Sequence, residues 1–320
     1  MTAYVATPAV GSTVVALGHY QPPRVVTNDD LAKIVDTNDE WIRSRVGISE
    51  RRIADDDDPL DVMATKAAEQ ALKAADLSAD DVDMVLLATC TAMDRSPNIA
   101  ARVAGRLGIP GPPAIDVNVA CSGFSHALAL ADHSIRAGSA TTALVIGAER
   151  LSDFTDWTDR TTCVLVADAA GAAVVRASDT PEIGPVLWGS IPEMGDAVRI
   201  EGRNGTFQQS GQSVFRWATT ELPQIALQVL ERAGVEPSEL AGIVTHQANL
   251  RIIDPLAKKI GAPNAVVARD IVVSGNTSAA SIPLALSKLV AERAIPKGGK
   301  VLLFAFGGGL SYAGQVIACP

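Results

Sequence analysis

Ala114-Ile-Asp-Val-Asn-Val-Ala-Cys121-Ser-Gly-Phe124 is the stretch from which the rest of the 320-residue chain is read. Ile115, Val117 and Val119 alternate as the apolar face of a short buried strand. Small residues follow Cys121, and then Phe124, Ala127, Leu128, Ala131 and Ile135 fall on one helical stripe. The spacing predicts a strand, a cysteine at its end, and a helix. A cysteine at that junction sits at the positive end of a helix dipole, which favours thiolate over thiol. A small buried hydrophobe explains the same residue, so the remainder of the chain must decide.

Apolar residues make up 48 % of the chain and aromatics only 4 %, which fits a tightly packed α/β enzyme rather than a disordered or fibrous protein. The length suggests two domain-sized units. A net charge of −9 argues against nucleic acid as a bulk partner. Cys90, Cys121, Cys163 and Cys319 are widely spaced, without CxxC or any His/Cys pair at metal spacing, so reduced thiols and no metal are expected. Met1-Thr-Ala-Tyr-Val-Ala-Thr-Pro8 lacks a basic segment followed by an apolar core, and no apolar run is long enough to span a bilayer. A cytoplasmic protein that does not engage membranes is expected.

Along the chain, residues 1–12 read as an untethered tail and Thr13–Leu17 as a first strand. Asn28 opens a capped helix, and Trp41 and Arg45 share one helical face. Asp55–Asp58 reads as a solvated acidic loop. A helix covers Pro59–Ala75, a strand Val82–Thr89, and a further helix runs from Pro97 to Gly108. Ala143–Gly147 is a strand, while Thr161–Val166 and Gly171–Val175 read as a strand pair. Residues 179–211 are loop-rich, and Val214–Ala233 reads as one helix.

The last third repeats the first at an offset of about 155 residues. Leu240-Ala-Gly-Ile-Val-Thr-His246 echoes Val82-Asp-Met-Val-Leu-Leu-Ala88, and Ser274-Gly-Asn276-Thr-Ser echoes Val119-Ala-Cys121-Ser-Gly. Two βαβ-rich halves with right-handed crossovers are expected. A pseudo-twofold axis then brings Cys121 near Asn276, with His246 at another strand end, where open α/β sheets collect ligands. His19, His126 and His133 read as structural; His126 lies about 140° around its helix from Cys121. Asn276 also reads as a simple helix N-cap.

Taken together, Ala120-Cys121-Ser-Gly-Phe, His246-Gln-Ala-Asn-Leu-Arg, Gly275-Asn276-Thr-Ser, Phe306-Gly-Gly-Gly-Leu and Asp39-Glu-Trp41-Ile-Arg-Ser-Arg45 resemble the β-ketoacyl-ACP synthase III family of thiolase-like condensing enzymes. The resemblance runs from about Thr13 to the C-terminus. It implies duplicated βαβαβ halves in a five-layered α-β-α-β-α arrangement, with one half over residues 13–177 and the other over 178–320. It further implies a homodimer that uses no cofactor and takes acyl-CoA and malonyl-ACP as substrates.

The resemblance assigns Cys121 as acyl-accepting nucleophile and His246 and Asn276 as donors to the enolate left by decarboxylation. Gly308 supplies an oxyanion amide beside that of Cys121, and Phe306 withholds solvent from the departing carboxylate. Thr37, Trp41, Arg45, Arg160, Phe215 and Asn249 are the implied CoA contacts. Arg216, Arg251, Lys258 and Lys259 are the implied contacts of the acyl carrier protein. Ser96, Val166 and Leu151 are the implied acyl-pocket residues.

This sequence departs from the family pattern at two pocket positions, where Ser96 and Val166 stand in place of aromatics. Branched or medium-length starters are therefore expected over acetyl. Ala167-Asp-Ala-Ala-Gly171 replaces Gly-Asp-Gly-Ala-Gly, and Pro255 interrupts the basic helix, which either restarts at Asp254 or kinks. Three other readings stand beside this one. A Cys–His thioester hydrolase leaves Asn276 unexplained, an acyltransferase of secondary metabolism does not need Asn276, and a non-catalytic partner subunit would have lost Cys121.

Overall fold

The computed structural model describes residues 8–320. Most of the tail expected over residues 1–12 therefore lies outside the described residues. The chain enters through β1 (Gly11–Tyr20), an edge strand longer than its apolar core requires. Next come α1 (Asn28–Leu31) and α2 (Asp39–Arg45), set between the two strands of a small ribbon, β2 (Val25–Thr27) and β3 (Glu50–Arg52). Helix α1 is a single turn, capped reciprocally by Thr27 and Asp30.

Helix α3 (Leu60–Ala74) buries a face of small residues including Ala64, Ala67, Ala68 and Ala71. That smoothness lets it lie close over β1, where Gly18 meets the backbone of Ala67 and Ala71. Then follow β4 (Met84–Ala88), α4 (Ile99–Leu107), β5 (Ala114–Val117), α5 (Gly123–Arg136), β6 (Thr142–Arg150) and β7 (Asp168–Ser178). Helix α4 ends on left-handed Gly108, the expected C-terminal stop. The first sheet runs β1-β7-β6-β4-β5, with β4, β5 and β6 parallel.

The second half contains β8 (Leu187–Gly189), a ribbon of β9 (Val198–Arg199) and β10 (Gln208–Gln209), and helices α6 (Gly211–Thr220) and α7 (Leu222–Ala233). Strand β11 (Leu240–Thr245), helix α8 (Leu250–Ile260) and β12 (Val266–Val267) come next, followed by α9 (Ile271–Ser274), α10 (Ser281–Ala291), β13 (Lys300–Gly307) and β14 (Ser311–Ala318). Their sheet runs β12-β11-β13-β14-β8, the order of the first sheet repeated. Helices α5 and α10 pack between the two sheets, with α3 and α4 outside one and α7 and α8 outside the other. This is the duplicated, five-layered α-β-α-β-α thiolase-like architecture.

Several local expectations are corrected. Thr161–Leu165 is a series of turns and Val166 makes only an isolated bridge to Asn276; β7 pairs instead with β1 and β6. Val214–Ala233 is two helices, because the chain breaks at Glu221 and restarts with Pro223 in the first turn of α7. Strand β5 stops at Val117, and Ile115 is 47 % exposed because β5 is an edge strand with one neighbour. Asp58 is not solvated: it is buried, accepts from Tyr20 Oη at 2.6 Å and pairs with Lys66 at 3.1 Å. Helix α8 runs unbroken through Pro255 from an Asn249 cap, so it does not restart at Asp254.

Candidate active site

Strand ends from both halves meet between the sheets. Cys121 lies in a one-turn 3-10 segment, Ala120–Ser122, that leads directly into α5. The equivalent segment before α10 is Ser278–Ala280. Ala120 and Ser278 both adopt left-handed backbone, with φ of 44° and 46°. Two matching non-glycine residues held in that region mark a shared, over-determined turn. They also correct the register of the repeat: Cys121 corresponds to Ala279, and Asn276 corresponds to Asn118.

Cys121 is buried. Burial is the largest influence on its thiol and raises it above its ordinary range, opposite to the effect expected from the helix dipole. Hydrogen bonds from the Ser278 hydroxyl and from the amides of Gly308 and Cys121 itself lower it, while nearby Glu149 raises it. Two backbone N–H groups, those of Gly308 and Cys121, thus face the sulfur. Gly307 passes so close that a Cβ there would stand 2.8 Å from Cys121 Sγ.

His246 follows β11 and is buried, and its Nδ1 is 2.8 Å from Ser281 Oγ. The same hydroxyl accepts from Gln247 N–H at 3.3 Å, which keeps its own hydrogen free for Nδ1, the pairing that puts the imidazole hydrogen on Nε2. Burial pushes the ring down to about 3, which keeps it neutral. Phe306 meets the imidazole edge-on at 5.5 Å. Asn276 Oδ1 accepts from Ser278 N–H at 2.9 Å, which commits the oxygen and leaves the Nδ2 amino group as donor.

Two cavities meet at Cys121. One, of about 510 Å³, is lined by Trp41, Arg45, Phe215, Asn249, Arg251, His246, Asn276 and Phe306 as well as the thiol. The other, of about 330 Å³, is lined by Leu151, Val119, Val198, Ile200 and Phe207, with Cys90, Asn276, Ser278 and Gly308. Sequence-predicted residues from elements distant in the chain therefore line two cavities that share Cys121 and Asn276. The thiol thus sits among neutral N–H donors, with Arg45 and Arg251 further along the same cavity. The chain belongs to the β-ketoacyl-ACP synthase III family. Residues 115–191 match the family described as 3-oxoacyl-[acyl-carrier-protein (ACP)] synthase III, and residues 230–319 match its C-terminal counterpart.

Among β-ketoacyl-ACP synthases III, the chain is 66 % identical over 313 residues to synthase III 4 of Streptomyces coelicolor, covering 97 % of this chain and 99 % of that protein. It is 43 % identical over 312 residues to the Aquifex aeolicus enzyme, covering 96 % of this chain and 99 % of that protein. The crystal structure of the Aquifex aeolicus synthase superposes with a TM-score of 0.92 at 41 % identity, covering 96 % of this chain and 100 % of that one. The priming β-ketosynthase of the R1128 polyketide pathway superposes with a TM-score of 0.95 at 38 % identity, covering 98 % and 97 %. The protein is thus an acyltransferase-type condensing enzyme of the synthase III class.

Other predicted residues fall in different places. Trp41 and Arg45 share a face of α2 and both line the larger cavity. Arg160 does not line it; its guanidinium donates to the Asp36 carbonyl at 2.8 Å and lies 5.3 Å over the Trp41 ring. Thr37 does not line it either, and its buried Oγ1 has no hydrogen-bond partner. Asn249 caps α8 through Arg251 N–H and donates to the Arg45 carbonyl at 3.2 Å. Arg216, Arg251, Lys258 and Lys259 are all exposed on α6 and α8, which pack together; Arg251 stacks on Phe215 at 5.3 Å and Lys259 Nζ reaches Thr219 O at 2.7 Å.

Two of the implied acyl-pocket residues stand off these cavities, Ser96 being expected at the pocket of the partner subunit rather than at this one. Val166 packs in a buried cluster behind Leu151 and Phe207 and lines neither cavity. Ser96 is exposed and lines neither cavity. Residues that the sequence did not single out matter as much. Ser278 and Ser281 orient the sulfur and the imidazole, and Glu149 lies beneath them. Ser278 ends the Gly275-Asn276-Thr-Ser motif and Ser281 follows three residues later, so the motif was the available signal for the first of them. Glu149 gives none, because a charged residue at a strand end normally reaches solvent. Among the described residues, no group of His, Cys, Asp and Glu is arranged to hold a metal, and no helix is long and apolar enough to cross a membrane.

Proposed function

We propose that this protein performs the decarboxylative Claisen condensation of an acyl-CoA starter with malonyl-ACP, giving a 3-oxoacyl-ACP that initiates a fatty-acid or polyketide chain. The observation that carries the reading is one thiol, flanked by two amide donors, placed where an open cleft meets a second apolar cavity. The cleft suits the pantetheine arm, entering past Trp41, Arg45, Phe215 and Asn249. Thr37 and Arg160 are placed at the nucleotide end. The second cavity suits the acyl chain.

Cys121 sulfur attacks the thioester carbonyl, the Cys121 and Gly308 amides hold the oxyanion, and CoA leaves. Malonyl-ACP then enters, guided by Arg216, Arg251, Lys258 and Lys259. Loss of carbon dioxide leaves an electron pair as the enolate, whose oxygen accepts from His246 Nε2–H and Asn276 Nδ2–H. Neither donor is charged, so neither forms an ion pair with the departing carboxylate, and Phe306 keeps water from it. The enolate carbon bonds to the acyl carbonyl carbon, and the Cys121 thiolate is expelled and regenerated. No bound cofactor takes part in any of these steps.

The starter proposed is branched or medium-length. Support for this comes from Leu151, Val119, Val198 and Ile200 in a wall that also holds Arg199, and from a cavity larger than an acetyl group fills. The halves meeting at 177/178, a cytoplasmic location and a homodimer in which exposed Ser96 faces the partner's pocket belong to the same proposal. The likeness to a polyketide priming ketosynthase favours starter loading for a polyketide as a second reading. Intact-mass analysis across an acyl-CoA panel, followed by malonyl-ACP, tests the mechanism. An acyl adduct is expected in the wild type and absent in Cys121→Ala; an adduct that persists in the variant contradicts it.

A further inference from the structure

Arg51, on β3 of the small ribbon, is the largest side chain that the fold buries completely, with 0 % exposure. All its acceptors are uncharged. Nη1 donates to Asn28 Oδ1 at 2.8 Å and to the Val26 carbonyl at 3.3 Å, and Nη2 donates to the Val164 carbonyl at 2.9 Å. Nε has no partner. Burial pulls the guanidinium down to about 10, so it keeps its charge at neutral pH. A buried cation whose hydrogen bonds reach no carboxylate costs stability, and packing alone needs only an apolar residue there.

The Val164 carbonyl belongs to a strap, residues 164–167, whose Val164 and Leu165 line the larger cavity. The Leu165 carbonyl accepts from Asn276 N–H at 2.8 Å, and Ala167 N–H donates to the Asn276 carbonyl at 2.9 Å. Both backbone polar groups of Asn276 are therefore held by the strap that Arg51 grips. Arg51 also packs behind Gly275, whose φ is 71°: a Cβ there would stand 3.0 Å from Arg51 Cβ and 2.8 Å from Ala167 Cβ. Ser49, just before β3, donates to the Val272 carbonyl from both its N–H and its Oγ, each at 2.7 Å. Val272 lies in α9, the helix that ends at Ser274. One ribbon edge thus fixes the chain on either side of Asn276. Neither Arg51 nor Ser49 lines either cavity.

We propose that Arg51, with Ser49 beside it, is a positioning residue that holds Asn276 in place for the condensing half of the reaction. The inference rests on Asn276 donating to the enolate oxygen, as proposed above. A donor of this kind must be set before the charge develops. The planar guanidinium spans acceptors on two separate segments, Asn28 and Val164, and a lysine ammonium on a flexible stem does not reproduce that span. The amides of Cys121 and Gly308 sit on other elements, so acyl transfer is independent of the strap.

The two half-reactions distinguish this role from general support of the fold. Acylation of Cys121 at saturating acyl-CoA is timed by intact mass, and condensation is started from isolated acyl-enzyme with saturating malonyl-ACP, both normalised to acylatable enzyme. Arg51→Lys is expected to slow condensation by about 100-fold and acylation by no more than about 3-fold. In an Asn276→Ala background the same change is expected to slow condensation no further, because the group it positions is gone. Ser49→Ala retains the buried charge and carries the test where Arg51→Lys fails to fold; it is expected to slow condensation by about 5-fold and to leave acylation unchanged. Equal slowing of both half-reactions, undiminished condensation, or a fully additive loss on top of Asn276→Ala overturns the inference alone. An Asn276→Ala variant that condenses at the wild-type rate removes Asn276 as the enolate donor and this inference with it.

Discussion

His246 is the residue at which burial and chemistry are most tightly tied. Its ring is pushed down to about 3 by burial, so it stays a neutral donor through the physiological range. The condensation step with preloaded acyl-enzyme is therefore expected to have no acid limb near pH 6.5, measurable in stopped assays from pH 5 to 8. The same shift has a stability consequence. The unfolded chain binds a proton near pH 6.5 and the folded one does not, so stability contributed above that pH is lost as pH falls toward 3, at about 1.4 kcal/mol per pH unit. Asp168, raised to about 6 by burial, works in the opposite sense, because its native state takes up a proton first as pH falls. Urea midpoints between pH 4.5 and 7 should therefore fall less steeply in His246→Gln than in wild type, and equal slopes would contradict the assignment.

Gly307 makes a second residue-scale prediction. A Cβ at this position would press on Cys121 Cβ and stand 2.8 Å from its sulfur. Gly307→Ala is expected to displace the nucleophile and slow acylation by about 100-fold or more, as read by time-resolved intact mass. Its circular dichroism spectrum should stay native, because the added methyl faces the site rather than a sheet interface.

At the scale of elements, α8 carries the clearest expectation. Pro255 sits inside an otherwise continuous helix whose buried face is Ile252, Ile253, Leu256 and Ile260. That apolar face, together with the Asn249 cap, holds the helix together despite the missing N–H. Pro255→Ala restores a donor to the Arg251 carbonyl and removes ring crowding, and it should stabilise the protein by about 1–3 kcal/mol, measured by urea unfolding. Carrier-protein affinity then reports whether the proline shapes the basic surface of Lys258 and Lys259. On α2, one face of Trp41 is already covered by Arg160, so an adenine stacks on the opposite face or displaces the guanidinium.

The whole molecule is a duplication in which each half leaves its site incomplete. The first half supplies Cys121 and Glu149, the second His246, Asn276, Ser278 and the glycine loop, and α5 and α10 pack the two together. The dimensions of the second cavity belong to this scale, because its walls come from both halves. In a competition assay, isobutyryl-CoA and hexanoyl-CoA are expected to acylate the enzyme faster than acetyl-CoA. A missing methylene in a complementary pocket is worth about 1–3 kcal/mol, and equal or better use of acetyl-CoA would sink the starter assignment.

The sequence alone determined the class of fold and the identity of the chemical groups. Apolar periodicity marked the strands and helices, the internal echo marked the duplication, and Cys121 and His246 stood just beyond strands, whereas Asn276 follows the short helix α9. Periodicity reports which face of an element is buried, and a duplicated pattern implies a duplicated topology, so these features survive without coordinates. Tertiary structure decided the rest. The register that pairs Cys121 with Ala279 depends on two strained turns, which hydrophobicity does not encode. The burial of Asp58 and Glu149 depends on which distant hydroxyls and amides close over them. Val166 is buried in a cluster with Leu151 and Phe207 rather than on a cavity surface, a placement that its own size does not encode. The sulfur's character is likewise collective: burial raises it, and the amides and hydroxyl that lower it come from both halves of the chain.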